Sequence, residues 1–151
     1  MKSNIKNKED FMEYNTYNVR LVLCTMFNLK QLDLLVMDSR AGNKCIARRF
    51  YIYYLWRFKN VKHYHMKRFI FGIHHASCIH HCKVMENDLY LSNLNISKYQ
   101  TIRKQFITFL YYADRSEWEK LKIDQAFSIE ELEDVYIDKK YVDCQLNLII
   151  N

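Results

Sequence analysis

The chain has no proline and only two glycines in 151 residues. β-Sandwiches and barrels turn every few residues and draw on both types, so their scarcity argues for helices. No apolar run approaches the roughly 20 residues that a membrane span requires. The opening residues, MKSNIKNKEDF, have no apolar core of the kind a signal peptide carries. A cytoplasmic location is therefore expected. Five cysteines (Cys24, Cys45, Cys78, Cys82 and Cys144) fit that compartment as reduced thiols, since an odd number suits small core residues better than a disulfide framework. The most informative absence is one of charge. From Arg40 to Met85, 46 residues, there is no Asp or Glu. That segment holds ten Lys and Arg and all six histidines, so it carries +10 where the rest carries −4, for the net +6. A mixed, solvated surface would carry both signs. One sign over this length points to a polyanionic partner, nucleic acid ahead of an anionic membrane surface.

What is present reads as a succession of helices. Half the residues are hydrophobic and about a quarter are charged, as in a globular chain able to bury a core. Val19, Val22, Leu23, Met26 and Phe27 line one side of a first helix from Tyr17 to Phe27, and Leu29 to Leu35 suggests a short second one. A polar loop follows, Asp38 to Asn43, with Gly42 and Asn43 as its turn residues. A longer helix should run from about Lys44 to Phe58, with its aromatic residues in the core and its early arginines on an outer rim. Tyr64 to Ile70 reads as a short helix with Met66, Phe69 and Ile70 inward and Lys67 and Arg68 outward.

Phe71, Gly72 and Ile73 then turn the chain into its most distinctive stretch, Gly72 to Leu89. Cys78, Cys82, Met85 and Leu89 recur at spacings of four, three and four, which is one stripe of a helix. Ser77, His80, Lys83 and Asn87 form a second stripe, rich in donors and free of carboxylates. A short helix, a glycine turn and a helix with an apolar back and a donor-rich front match a helix-turn-helix. An ordinary surface helix is the alternative, and the charge asymmetry weighs against it. Beyond Leu91, Ile102, Phe106, Phe109 and Leu110 mark a helix from about Ser97 to Ala113, extending towards Trp118 and Leu121. A β-like tail, YVDCQLNLII, closes the chain. From Asp114 to Asp143 there are ten acidic and five basic residues. The expected layout is a DNA-binding unit over residues 1–94, with its core at about 17–90, and an acidic helical extension over 95–151.

From about Val19 to Leu89 the chain resembles the C-terminal DNA-binding domain of the bacterial replication initiator DnaA. The likeness rests on elements in register. An apolar helix leads through Val22 and Phe27 to Leu29, then come the Asp33-Leu34-Leu35 step and a Ser39-Arg40 loop. An alanine–arginine helix follows, from Ala47-Arg48-Arg49 to Leu55. Last is Met66 through Phe69 and Gly72 into His75-Ala76-Ser77-Cys78-Ile79-His80. The family signature there is Asp-His-Ala/Ser/Thr-Thr-Val-Leu/Ile-His. Here His75, Ile79 and His80 match, Ser77 stands for threonine and Cys78 for valine. The resemblance implies an all-α, Trp-repressor-like helix-turn-helix that binds double-stranded DNA. It implies a minor-groove role for Arg40, a phosphate or base contact for Arg49, and base-edge contacts for His75 and Ala76. His74 replaces the family's aspartate, which removes an acceptor for a cytosine amino group. No GxxxxGK(S/T) loop occurs, so the likeness does not extend to the initiator's ATPase.

Taken with the residues themselves, the expected DNA-binding set is Arg40, Lys44, Arg48, Arg49, Lys67, Arg68, His74, His75, Ala76, Ser77, His80 and Lys83, with Lys44, Arg48, Arg49, Lys67 and Arg68 on phosphates and Ser77, His80 and Lys83 facing base edges. His74, His75, Cys78, His80, His81 and Cys82 invite a zinc site, but structural zinc draws four ligands from two segments and no second cluster accompanies them. No metal, cofactor or small-molecule substrate is expected. Catalysis is not expected either, because cysteines on an apolar stripe are inert and the carboxylates avoid the basic segment. A different class of function, a protein–protein adaptor acting through the acidic, aromatic C-terminal part, is separated from DNA binding by truncation after about Leu94.

Overall fold

The computed structural model describes residues 16–37 and 42–125. In chain order these form α1 (residues 16–27), α2 (Gln31–Leu35), α3 (Gly42–Lys59), a 3₁₀ turn (His63–Arg68), α4 (His75–Asn93), a second 3₁₀ turn (Ser97–Tyr99), α5 (Gln100–Ala113) and α6 (Arg115–Gln125). The fold is all-α, as the scarcity of turn residues implied. Among the described residues the extended backbone amounts to one isolated bridge, Val36 to Phe71.

Helix α3 organises the rest. Its apolar residues do not form a single stripe; Ala47 and the whole run Phe50 to Leu55 are buried. A helix that is apolar all round must be covered all round. α1 covers one side, through the edge contact of Phe27 with Phe50 (5.7 Å between centroids) and a hydrogen bond from Arg20 Nη1 to the Tyr51 hydroxyl (3.0 Å). α4 and the first 3₁₀ turn pack on other parts of the same bundle. α5 supplies Phe106 and Phe109, whose rings lie 5.3 and 6.1 Å from Phe50, with Phe109 also edge-on to Tyr54 at 5.7 Å. Burying each such ring stabilises the fold by about 2–3 kcal/mol.

Two expectations change here. The hydrophobic core does not divide near residue 94, because Phe106, Phe109, Trp118 and Leu121 belong to the same cluster as Phe50 and Tyr54. And the helix expected to run on from Ala113 towards Leu121 is interrupted at Asp114. The Asp114 carboxylate accepts from the Tyr54 hydroxyl (2.6 Å) and from the Glu117 amide (3.3 Å), and it pairs with Lys59 (3.3 Å). It therefore caps α6 while tying the α5–α6 junction to α3.

Without proline, and nearly without glycine, the chain ends α1, α3 and α4 on asparagine. Asn28, Asn60 and Asn95 all have left-handed backbone, with φ of 54°, 58° and 60°. Asparagine tolerates this region better than other side chains do. At Asn28 the Leu29 amide reaches back to the Cys24 carbonyl (2.9 Å), the six-to-one bond of a Schellman ending. The expected tail at residues 141–150 lies outside the described residues, as does most of the acidic stretch.

Candidate nucleic-acid interface

The connection into α4 is built by backbone geometry. Phe71 donates to the Leu35 carbonyl (2.6 Å) and its own carbonyl accepts from the Met37 amide (3.1 Å), so this turn is fastened to the end of α2. Gly72 follows with φ of 82°, a conformation that side chains disfavour. His74 then caps α4: its Nδ1 accepts from the Ala76 amide at 3.1 Å. With Nδ1 as acceptor, the neutral ring of His74 carries its proton on Nε2. The His75 ring stacks on it, 4.4 Å between centroids.

α4 has the two faces its spacing predicted. Cys78, Cys82, Met85 and Leu89 are buried, joined by His81 and Ser92. Opposite them Ala76, His80, Lys83, Asn87 and Tyr90 are all exposed, at spacings of four, three, four and three. Ser77 is half-buried at the edge of this stripe. On the 3₁₀ turn packed against α4, Met66 is buried while Lys67 and Arg68 are exposed, as expected, and so is Lys62 just before it. Lys62 belongs to the same carboxylate-free segment and was open to selection on that ground.

The basic residues at the start of α3 behave otherwise. Arg48 does not lie on an outer rim. It is 1% exposed, and its Nε donates to the Asp33 carbonyl at 2.7 Å, so it fastens α2 to α3 and is withdrawn from any groove. Lys44 is partly exposed and pairs with the Asp33 carboxylate at 3.1 Å. Arg49 is half-buried, donating from Nε to His81 Nδ1 (3.2 Å) and from Nη2 to the Cys45 sulfur (3.8 Å). Arg40 lies outside the described residues.

His81 is the residue that spacing could have singled out. It sits three residues after Cys78 and four before Met85, on the edge of the apolar stripe, and it is 8% exposed. Burial, with the charge of Arg49 next and His80 and Arg48 after it, pulls its pKa down from 6.5 to about 4. A neutral ring is what Arg49 needs as an acceptor. Burial likewise pushes the Cys78 thiol up to about 11 and the Cys82 thiol up to about 12, where neither is a nucleophile or a ready ligand. Among the described residues no three His, Cys, Asp or Glu side chains come together to hold a metal. No described helix is long and apolar enough to cross a membrane.

Between the first turns of α3 and α4 lies a cavity of about 440 Å³, lined by Met37, Cys45, Arg48, Arg49, Ala76, Ser77, His80 and His81. It gathers five of the expected site residues, from two helices, around one hollow. Comparison with known proteins finds no matching family model, curated protein or solved structure.

Proposed function

We propose that this chain binds double-stranded DNA by laying α4 in the major groove, as an accessory or regulator of replication or transcription. The observation that carries this reading is the solvent-facing stripe of α4, Ala76, His80, Lys83 and Asn87, flanked by exposed Lys62, Lys67 and Arg68. His80 and Asn87 offer the donors and acceptors that read base edges, and Ala76 suits a thymine methyl. The flanking cations neutralise phosphates and fix register. The resemblance to the DnaA domain supports the same reading and with it a helix-turn-helix made of the 3₁₀ turn, the Gly72 turn and α4.

Because Arg48 is buried and Lys44 is paired with Asp33, the phosphate set shrinks to four or five cations. The log–log dependence of affinity on salt should then have a slope of roughly −4. The test is fluorescence anisotropy on a duplex carrying the initiator box and on a scrambled duplex, at two salt concentrations, with Lys83→Ala and His80→Ala proteins alongside. Box-preferring binding weakened by both changes supports the reading. No binding to either duplex at low salt defeats it.

The adaptor reading is favoured by apolar side chains left in solvent, Leu94 and Ile96 after α4 and Ile123 on α6. Its test is Leu94→Ser, Ile96→Ser and Ile123→Ser in the full chain and not truncation after 94, since that cut takes Phe106 and Phe109 out of the core; unchanged protein–protein binding by the triple variant defeats it.

A further inference from the structure

We propose that the cavity between α3 and α4 binds a small phosphorylated molecule of about nucleotide size, independently of any duplex. Its 440 Å³ falls within the roughly 300–1,000 Å³ typical of small-molecule sites and is much larger than a lone phosphate needs. Its lining combines cationic and donor groups, from Arg49, Ser77, His80 and His81, with apolar ones from Met37, Cys45 and Ala76. Among the described residues no carboxylate lines it.

Arg49 decides the ligand class. Its two hydrogen bonds go to neutral acceptors, an imidazole nitrogen and a thiol, so a half-buried guanidinium faces the cavity edge with no ion pair to any described residue. Asp88 lies on the same side of α4 and senses the charge of Arg49, but the two form no ion pair among the described residues. A partly desolvated cation gains most from an anion that can accept a forked pair of N–H bonds, as a phosphate does. His81 adds a second donor: Nδ1 accepts from Arg49, so the proton of the neutral ring sits on Nε2. The first amides of α4 contribute nothing, because those of Ala76, Ser77 and Cys78 are already bonded to His74. Side chains from two helices make the site, and the apolar part of the lining leaves room for the body that bears the phosphate. Ala76 and His80 belong both to this lining and to the exposed stripe of α4. On the DNA reading, an occupant and a duplex therefore compete.

The experiment follows the imidazole resonances of His81 in the full chain by NMR, with calorimetry in parallel. The probes are inorganic phosphate, 2′-deoxyadenosine 5′-monophosphate and a short duplex; the proteins are wild type, Arg49→Gln and Lys104→Ala, each checked for folding by circular dichroism. The expected result is that the mononucleotide shifts His81 and binds more tightly than inorganic phosphate. Arg49→Gln should weaken it about tenfold or more, while Lys104→Ala, exposed on α5 and outside the cavity, leaves it unchanged. The wild-type titration alone is decisive should the Arg49 variant not fold. No His81 shift with the mononucleotide overturns the proposal. So does a shift seen only with duplex, which assigns the cavity to a backbone phosphate, and so does undiminished mononucleotide binding by folded Arg49→Gln. Mononucleotide binding without duplex binding keeps the proposal and removes the DNA reading.

Discussion

α3 and the first part of α4 both come from the carboxylate-free segment, yet they use their cations in opposite ways. In α3 the basic side chains near the N-terminus serve the fold: Arg48 holds the Asp33 carbonyl, Lys44 the Asp33 carboxylate, Arg49 the ring of His81. In α4 Lys83 and His80 look outward and share an exposed stripe with Ala76 and Asn87. The difference lies in coverage. A helix enclosed by its neighbours turns every side chain in its middle into a core residue, whatever its charge, whereas a helix packed along one stripe leaves the opposite stripe to a partner. Charge along a sequence therefore measures the field around a protein and not the set of residues that will touch a ligand.

The contrast can be broken most forcefully at α5. Truncation after Leu94 should abolish cooperative unfolding, and Phe106→Ala, which opens the aromatic cluster without shortening the chain, should cost about 3–5 kcal/mol in urea denaturation. Arg48→Ala comes next. Losing the bond that joins α2 to α3 should lower stability by about 2–4 kcal/mol, where Lys83→Ala changes it by no more than about 0.5 kcal/mol. Equal effects of the two on stability would erase the distinction between the helices.

His81 makes the contrast dependent on pH. Above pH 6.5 its ring is neutral whether the chain is folded or not. Between 6.5 and about 4 the unfolded chain takes up a proton that the folded chain does not, so stability falls as pH falls, and below about 4 the loss levels off. The loss should reach about 3 kcal/mol at most, and His81→Gln should flatten most of it in urea midpoints taken at successive pH values. His63, also held low by burial and by His75, leaves a smaller slope in the same direction. The Asp33 carboxyl, held below its usual 3.8 by the Lys30 amide and then by Lys44, adds its loss only under more acidic conditions. The smallest effects belong to the surface: on the DNA reading, Lys62→Ala and Lys67→Ala should each reduce the salt slope of duplex binding by about one, uniformly across sequences.

Much of this was legible because period survives in sequence. The stripe Cys78, Cys82, Met85, Leu89 marked which way α4 faces, and Met66, Ile70, Lys67 and Arg68 sorted themselves on the 3₁₀ turn. Arg48 was not legible. Nothing local separates it from Arg49, one position on, and its burial follows from α2 lying across it, a contact between segments 15 residues apart. The role of α5 was hidden for a similar reason. Its amphipathic pattern announces a buried face but not that the face belongs to α3. Nor does spacing reveal that Asp114 stops a helix, since the hydroxyl that holds it comes from Tyr54, 60 residues earlier.

The enclosure of α3 has a consequence for how the molecule moves. α1 bonds to it at Tyr51, α2 at Arg48, α5 at Phe50 and Tyr54, and the α5–α6 junction at Tyr54 and Lys59. No smaller unit can open and leave these contacts whole. Amide protons in the middle of α3 should therefore exchange with solvent only when the entire chain unfolds, and their rates report its global stability. Those at the end of α6, held along one edge, exchange by local fraying. The slowest protons in this protein mark its centre, and the fastest of the helical ones mark the helix that the centre holds least.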